Sequence, residues 1–234
     1  MIGFYDYTVI LTFLSLLSGM LGIIVSLHGQ GHPYIGVFFL LFSGLCDTFD
    51  GKVARTKKNR TEQEKSFGIQ IDSLADLVSF GVLPGCIGIA MLHAGQRYTD
   101  IPNLLVSRGT IRVYPILLFI SVLFYVNAAL IRLAYFNVLE IERQQKDPNA
   151  EKCYVGLPVT MAALIFPAIM LLHFLVPKDF TIIYFIALSV TGLLFLGRFK
   201  IRKPGWKGIS VLLVIGFVEF ILVLIFRFIL RIHA

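Results

Sequence analysis

The chain has 234 residues, of which 57% are hydrophobic and only 15% charged, with a formal net charge of +7 and a mean hydropathy of +0.81. Soluble globular domains carry about 25% charged residues, so this composition excludes an ordinary water-soluble fold. The apolar runs have the length of membrane-spanning helices, about 17–25 residues, and lack the alternation of barrel strands. We therefore predict an all-α, polytopic membrane helix bundle.

Uncharged stretches in chain order predict seven spans, at about residues 7–27, 34–55, 68–96, 113–140, 153–176, 180–197 and 209–229. A hydrophilic connection over residues 56–67 separates the second span from the third. No basic segment precedes the first span, so we expect a retained helix rather than a cleaved signal peptide. Cys46, Cys86 and Cys153 have no zinc-type spacing, and we expect them to be reduced.

The distribution of basic residues predicts the orientation in the membrane. Fifteen of the 21 Lys and Arg residues fall on the side of the N-terminus, which the positive-inside rule makes cytoplasmic, with the C-terminus outside. Such a face meets anionic membrane lipid and phosphate-bearing substrates. We expect no nucleic acid partner, because the basic residues lie in short loops between spans.

Four carboxylates lie at the predicted cytoplasmic ends of the second and third spans: Asp47, Asp50, Asp72 and Asp76. Spacings of three and four residues put each pair on one helix face. Acids at this depth are costly unless cations compensate them, and oxygen-only ligands select hard ions such as Mg²⁺ or Mn²⁺. The histidines are all predicted on the opposite side. The pattern predicts a site for two cations roughly 3.5–4 Å apart, as in phosphoryl chemistry.

Small residues accompany these acids. Gly51 and Ala54 follow Asp50, and Gly68 lies one turn before Asp72. Helix packing is one interpretation of such residues in a membrane. A pocket that admits a flat, large group is the other, and Arg55 as a phosphate-pairing side chain favours it.

The segment Asp47-Thr48-Phe49-Asp50-Gly51-Lys52-Val53-Ala54-Arg55, followed by Gly68, Asp72 and Asp76, resembles the CDP-alcohol phosphotransferase signature D-x2-D-G-x2-A-R-xn-G-x3-D-x3-D. Thr12 and Gly19 also match the family's first helix, where Ser15 replaces a common Asn. Twelve residues separate Arg55 from Gly68, whereas about eight are usual in the family. We expect the extra residues to lengthen the cytoplasmic loop without moving the acids.

The resemblance implies a six-helix catalytic core in residues 1–200, and a basic loop with one additional C-terminal transmembrane helix in residues 201–234. It also implies transfer of a phosphatidyl group from CDP-diacylglycerol to an alcohol, two Mg²⁺ or Mn²⁺ ions, and a homodimer. By resemblance, the metal ligands are Asp47, Asp50, Asp72 and Asp76, with Asp76 also the general base. The CDP-binding residues implied are Thr12, Gly51, Ala54, Arg55 and Gly68.

The acceptor alcohol is indicated by a second motif. Residues Arg132-Leu133-Ala134-Tyr135-Phe136-Asn137 resemble the R-L-A-x-F-N stretch of the family's phosphatidylserine synthases, and Gly156-Leu157-Pro158 their G-L-P stretch. This favours L-serine, with Arg132 and Asn137 as acceptor-binding residues. Glycerol 3-phosphate and inositol phosphate stay open as acceptors, since Lys200, Arg202 and Lys203 offer a cation cluster.

One alternative lies outside the family. A divalent-cation transporter uses intramembrane acids as ion ligands, but such acids lie near the midplane, often in repeated and broken helices. Here they lie near one surface. Glu219, a single acid in the last span, is predicted to have a structural role.

Overall fold

A computed structural model describes residues 3–29, 31–54, 56–57, 59–96, 106–107, 110–111, 113–146, 153–175, 180–202 and 206–225. Within these ranges the α-helices are α1 (Ile10–Leu27), α2 (Pro33–Ala54), α3 (Glu62–Asp76), α4 (Leu83–Gln96), α5 (Val113–Lys146), α6 (Ala162–Leu175), α7 (Thr181–Leu196) and α8 (Trp206–Leu224). A π-helical turn (Leu77–Val82) joins α3 to α4. The short strands β1 (Val106–Ser107) and β2 (Thr110–Ile111) pair with each other, as do β3 (Cys153–Val155) and β4 (Lys200–Arg202).

Among the described residues, four helical stretches are long and apolar enough to cross a membrane: Tyr7–Leu27, Pro33–Ala54, Glu62–His93 and Ile116–Ile141. The other three predicted spans contain shorter apolar helices, Val159–His173, Thr181–Leu196 and Val214–Leu224. The prediction of an all-α, multi-pass membrane bundle is confirmed.

The third helix begins earlier than predicted. The connection was expected to reach residue 67, but α3 begins at Glu62. A capping box explains this start: the Thr61 hydroxyl accepts a hydrogen bond from the backbone N–H of Glu64, whose carboxylate accepts one from the N–H of Thr61. The extra residues in this connection therefore lengthen the helix as well as the loop.

The fifth predicted span was wrong at its start. Residues 153–155 form β3 rather than helix, and α6 begins only at Ala162. Gly156 causes the break, with a φ of +78° and no room for a Cβ atom, which would lie 2.7 Å from the carbonyl oxygen of Gly197. The fourth helix was also underestimated, since α5 continues beyond Glu140 to Lys146.

Close helix packing positions the segment after Asp76. Helix α1 packs along α2, and α5 packs against both α7 and the π-helical turn. Tyr125 on α5 is fully buried and donates a 2.6 Å hydrogen bond to the backbone carbonyl of Phe80 inside that turn. Tyr184 on α7 donates similarly to Pro84 at 3.0 Å. Water does not reach these carbonyl groups in the apolar interior, so the two tyrosine hydroxyl groups serve as their hydrogen-bond donors.

Two of the three cysteines belong to the described side chains. Cys46 is buried and Cys86 is partly buried, and both are free thiols. The side chain of Cys153 lies outside the described residues.

Candidate active site

The carboxylates of two helices converge at one site. Carboxylate oxygens of Asp47 and Asp50 on α2 and of Asp72 on α3 all lie within 4.8 Å of one another. Asp76 is only 8% exposed, and its carboxyl group is in direct contact with that of Asp47. The structure thus brings together the four acids that the sequence placed on two separate helices.

The donor set fits a hard divalent cation. Ion pairs among the described residues run to Asp6, Glu62 and Glu64, and none runs to the four clustered carboxylates. Ionised carboxylates this close together repel strongly away from bulk water, so a bound cation would stabilise their charged forms. Oxygen ligands in this number are those that Mg²⁺ and Mn²⁺ prefer.

Helix α1 supplies polar contacts that sequence reasoning did not assign. The Thr12 hydroxyl lies 3.5 Å from Oδ2 of Asp50. Ser15 and Ser43 exchange side-chain to backbone hydrogen bonds between α1 and α2, at 3.4 and 3.0 Å. A signal for this contact exists in the sequence, because small residues recur every three or four positions along α1: Thr12, Ser15, Ser18, Gly19, Gly22 and Ser26.

Three of the residues predicted to hold CDP lie one helical turn from the acids, toward the connection between α2 and α3. Gly51 and Ala54 follow Asp47 and Asp50 by one turn of α2, and both are half-buried. Gly68 is half-buried one turn before Asp72 on α3. The small residues of both helices therefore lie on the side of the acids that faces the connection between α2 and α3. Arg55, the remaining CDP-binding prediction, lies outside the described residues.

An ionic cluster ties the N-terminal segment to this region. Lys57 pairs with Asp6 at 2.7 Å and with Glu64, in the first turn of α3, at 3.0 Å. The hydrogen bond from Lys57, aided by one from Thr8, lowers the pKa of Asp6 to about 2. Asp6 is therefore ionised throughout the physiological range, and the connection between α2 and α3 is held to the start of the chain.

The two predicted acceptor residues have different surroundings. Asn137 is 9% exposed, and its Oδ1 accepts a 3.0 Å hydrogen bond from Ser73, the residue after Asp72. Arg132 is 4% exposed and donates from Nε to the carbonyl of Leu157 at 3.1 Å. Asn137 therefore lies beside the acidic cluster, whereas Arg132 holds the turn that precedes α6.

Arg132 also borders a cavity of about 170 Å³ at the end of α7. Its walls include Tyr135 on α5 and Arg198 just beyond α7. Strand β4, which follows, contains Lys200 and Arg202, but their side chains lie outside the described residues, as does the whole of Lys203. The lining of the cavity is largely apolar, with the two arginines as its cationic residues.

Glu219 lies away from the acids. It is 8% exposed on α8, a helix that packs on α2 and α6. The adjacent Phe220 packs against Phe38 with ring centroids 4.9 Å apart. Phe38 precedes Asp47 on α2 by nine residues, about 13 Å along the helix axis.

The chain belongs to the CDP-alcohol phosphatidyltransferase family, whose model matches residues 8–196. The family resemblance inferred from the signature is therefore confirmed. The fold and the acidic site define a membrane-embedded transferase that takes its phosphate-linked group from a CDP-alcohol.

Relatives with assigned activities add detail. The chain is 31% identical over 214 residues to the CDP-diacylglycerol–serine O-phosphatidyltransferase of Helicobacter pylori strain 26695, covering 89% of this chain and 76% of that relative. It is 34% identical to the enzyme of the same name from Saccharomyces cerevisiae, covering 66% of this chain and 50% of the yeast protein. It is 32% identical to the archaetidylserine synthase of Methanothermobacter thermautotrophicus, covering 66% and 53%. The chain thus spans about half the length of the latter two.

Proposed function

We propose that the protein transfers the phosphatidyl group of CDP-diacylglycerol to the hydroxyl group of L-serine, which gives phosphatidylserine and CMP. The observation that carries the proposal is the convergence of Asp47, Asp50 and Asp72 within 4.8 Å at signature positions of the family. The names of the bacterial and yeast relatives support serine as the acceptor.

The acidic cluster supplies both the metal site and the base. Asp47, Asp50, Asp72 and Asp76 are the proposed ligands of two Mg²⁺ or Mn²⁺ ions, which when bound neutralise charge on the diphosphate and on departing CMP. Asp76 accepts the proton of the serine hydroxyl group. The serine oxygen forms a bond to the phosphorus that carries diacylglycerol, and the bond from that phosphorus to the CMP oxygen breaks.

The flanking residues orient the two substrates. The cytidine lies against Gly51, Ala54 and Gly68, and Thr12 lies beside Asp50 at the same end of the bundle. Arg55 is the proposed partner of a donor phosphate. The acyl chains lie between helices in the lipid phase, which accounts for a transferase built inside a membrane bundle.

Acceptor binding is assigned to Arg132 and Asn137. Serine carries a carboxylate, and arginine can bind a carboxylate through two parallel hydrogen bonds. The hydrogen bond that Asn137 accepts from Ser73, the residue after Asp72, supports its assignment to the acceptor site. The contact of Arg198 with the same cavity as Arg132 adds positive charge there.

Four features stay predictions within this proposal. They are a location in the cell membrane with the N-terminus and active site cytoplasmic and the C-terminus outside, a homodimer, contact of the basic face with anionic lipid, and the division into residues 1–200 and 201–234. The excess of Lys and Arg on one side supports the orientation.

The test measures CMP release by the purified, detergent-solubilised protein. CDP-diacylglycerol is supplied with L-serine, glycerol 3-phosphate or inositol phosphate in parallel reactions, with Mg²⁺, with Mn²⁺ and with excess EDTA. Of the three acceptors, we expect only L-serine to support CMP release. This activity should be lost in EDTA and should recover when Mg²⁺ or Mn²⁺ is restored. Release with a phosphorylated acceptor instead would show that the family chemistry is right and the acceptor wrong. Full activity in EDTA would contradict the metal-dependent mechanism.

A further inference from the structure

The connection between α2 and α3 contains one arginine that the family signature does not include. Three cationic side chains are described in residues 56–65. Lys57 pairs with Asp6 and Glu64, and Lys65 pairs with Glu62 at 2.7 Å. Arg60 makes no ion pair within the described ranges. Of the three cations described in this connection, Arg60 is therefore the one whose charge is not paired with a carboxylate of the described residues.

The guanidinium group of Arg60 lies over Gly68. A Cβ atom built on Gly68 would be 2.7 Å from Nη2 of Arg60, so the arginine fills the space that a side chain at position 68 would take. Nη2 donates to the backbone carbonyl of Glu64 at 3.2 Å, which fixes the guanidinium on the first turns of α3. Gly68 itself lies one turn before Asp72 on α3.

The periodicity of α3 aligns this contact with the metal site. Glu64, Gly68 and Asp72 are spaced by four residues and share one helix face. The guanidinium therefore lies on the acid-bearing face of α3, one turn or about 6 Å from Asp72 along the helix. In the proposed function, the acids hold the diphosphate of the donor and the nucleoside extends along Gly68. The base or ribose of such a donor would reach Arg60.

Arg60 also has an unused donor. Its Nε atom is covered from solvent and has no hydrogen-bond partner in the part of the chain that the structure describes. Covering a charged donor without a partner is costly, and a bound ligand with acceptor atoms removes that cost. Cytidine offers acceptors on its ring and its ribose, and a planar guanidinium both donates to such atoms and stacks on flat rings.

We propose, building on the proposed function, that Arg60 binds the nucleoside end of the CDP-linked donor. The cytoplasmic side of the nucleotide site is then formed by an arginine from the lengthened connection. Its side chain is positioned by the carbonyl of Glu64, and Gly68 provides the opening that admits it.

The test is calorimetric titration of the full-length protein with CDP and, separately, with inorganic pyrophosphate, both in the presence of Mn²⁺. The variants are Arg60→Ala and, as a matched control, Lys65→Ala, which removes an exposed cation from the same connection. We expect Arg60→Ala to raise the Kd for CDP about tenfold or more, because charge-assisted hydrogen bonds are lost. Pyrophosphate binding and the Lys65→Ala variant should match wild type. Arg60→Gln keeps part of the hydrogen bonding and should fall between wild type and Arg60→Ala.

Three results would overturn the inference. Unchanged CDP affinity in Arg60→Ala would show that Arg60 does not contact the nucleotide. Tighter CDP binding would show that its side chain hinders binding. An equal loss for CDP and pyrophosphate would place Arg60 at the phosphates rather than the nucleoside. Thermal unfolding of each variant checks that the bundle is intact. Failure of the wild-type protein to bind CDP would refute the proposed function as well, whereas wild-type binding with an unaffected variant would refute this inference alone.

Discussion

Ser79 donates its hydroxyl hydrogen to the backbone carbonyl of Ser15 at 3.0 Å. The same carbonyl accepts a second 3.0 Å hydrogen bond from Ser43. Ser43 lies one turn before Asp47 on α2, and Ser79 lies in the π-helical turn that follows Asp76. One carbonyl group of α1 thus joins the two helices that carry the four carboxylates.

Ser79→Ala should weaken metal binding more than it weakens the fold. Loss of one buried hydroxyl contact in a membrane bundle costs only about 0.6 kcal/mol on average, so the protein should stay folded. The variant loses the hydrogen bond that links the segment after Asp76 to the Ser15 carbonyl group. We therefore expect a lower affinity for Mn²⁺, measured by electron paramagnetic resonance on the purified protein.

Ser18→Ala is the matched control for this prediction. Ser18 is buried and makes an equivalent 2.8 Å bond from α1 to the carbonyl of Phe39 on α2, but it contacts neither acid-bearing end. Similar thermal stability with different Mn²⁺ affinity in the two variants would support a positioning role for Ser79. Equal Mn²⁺ affinity in both would assign Ser79 to packing alone.

Asp76→Asn should abolish turnover while leaving nucleotide binding largely intact. The substitution keeps the size of the side chain but removes the proton acceptor, and general bases contribute about 10²–10⁴-fold to rate. CMP release with serine measures the first effect, and titration with CDP measures the second. Near-normal turnover would show that another group takes the proton.

Arg132→Lys should raise the KM for serine and leave the affinity for CDP-diacylglycerol nearly unchanged. Lysine keeps the positive charge but cannot reproduce the two-pronged hydrogen bonding of a guanidinium to a carboxylate. Initial rates are measured while each substrate is varied in turn. Tyr135→Phe, which alters the same cavity without removing charge, serves as the control. A lower donor affinity with an unchanged serine KM would assign Arg132 to the donor site.

Glu219→Gln should leave catalysis nearly intact. Glu219 packs with α8 against a part of α2 remote from the acids, and its Oε2 atom has no hydrogen-bond partner among the described residues. Glutamine keeps the shape and removes the ionisable group, so any effect should appear in thermal stability rather than in CMP release. A loss of turnover comparable to that of Asp76→Asn would show that the last helix acts on the active site.

Much of the fold was predictable because membrane helices are encoded locally. Long apolar runs and their polar ends placed α1, α2 and α7 within a few residues of their observed bounds. The predicted starts of α3 and α6 were wrong because a short local motif, rather than hydropathy, sets where each helix begins. The capping box at Thr61 began α3 early, and the positive φ of Gly156 delayed α6. Both signals lie in the sequence, but their strength depends on neighbouring chain segments.

By itself, the sequence determined the class of protein, the helical bundle and the eight signature positions, because composition, hydropathy and motif spacing are properties of the chain. Only the tertiary structure decided which side chains meet across helices. The bond of Ser79 to Ser15, the separate surroundings of Arg132 and Asn137, and the guanidinium of Arg60 over Gly68 all depend on packing between segments distant in the chain or on the path of a loop. Such contacts follow from how whole helices fit together, and no local pattern of residue types specifies that fit.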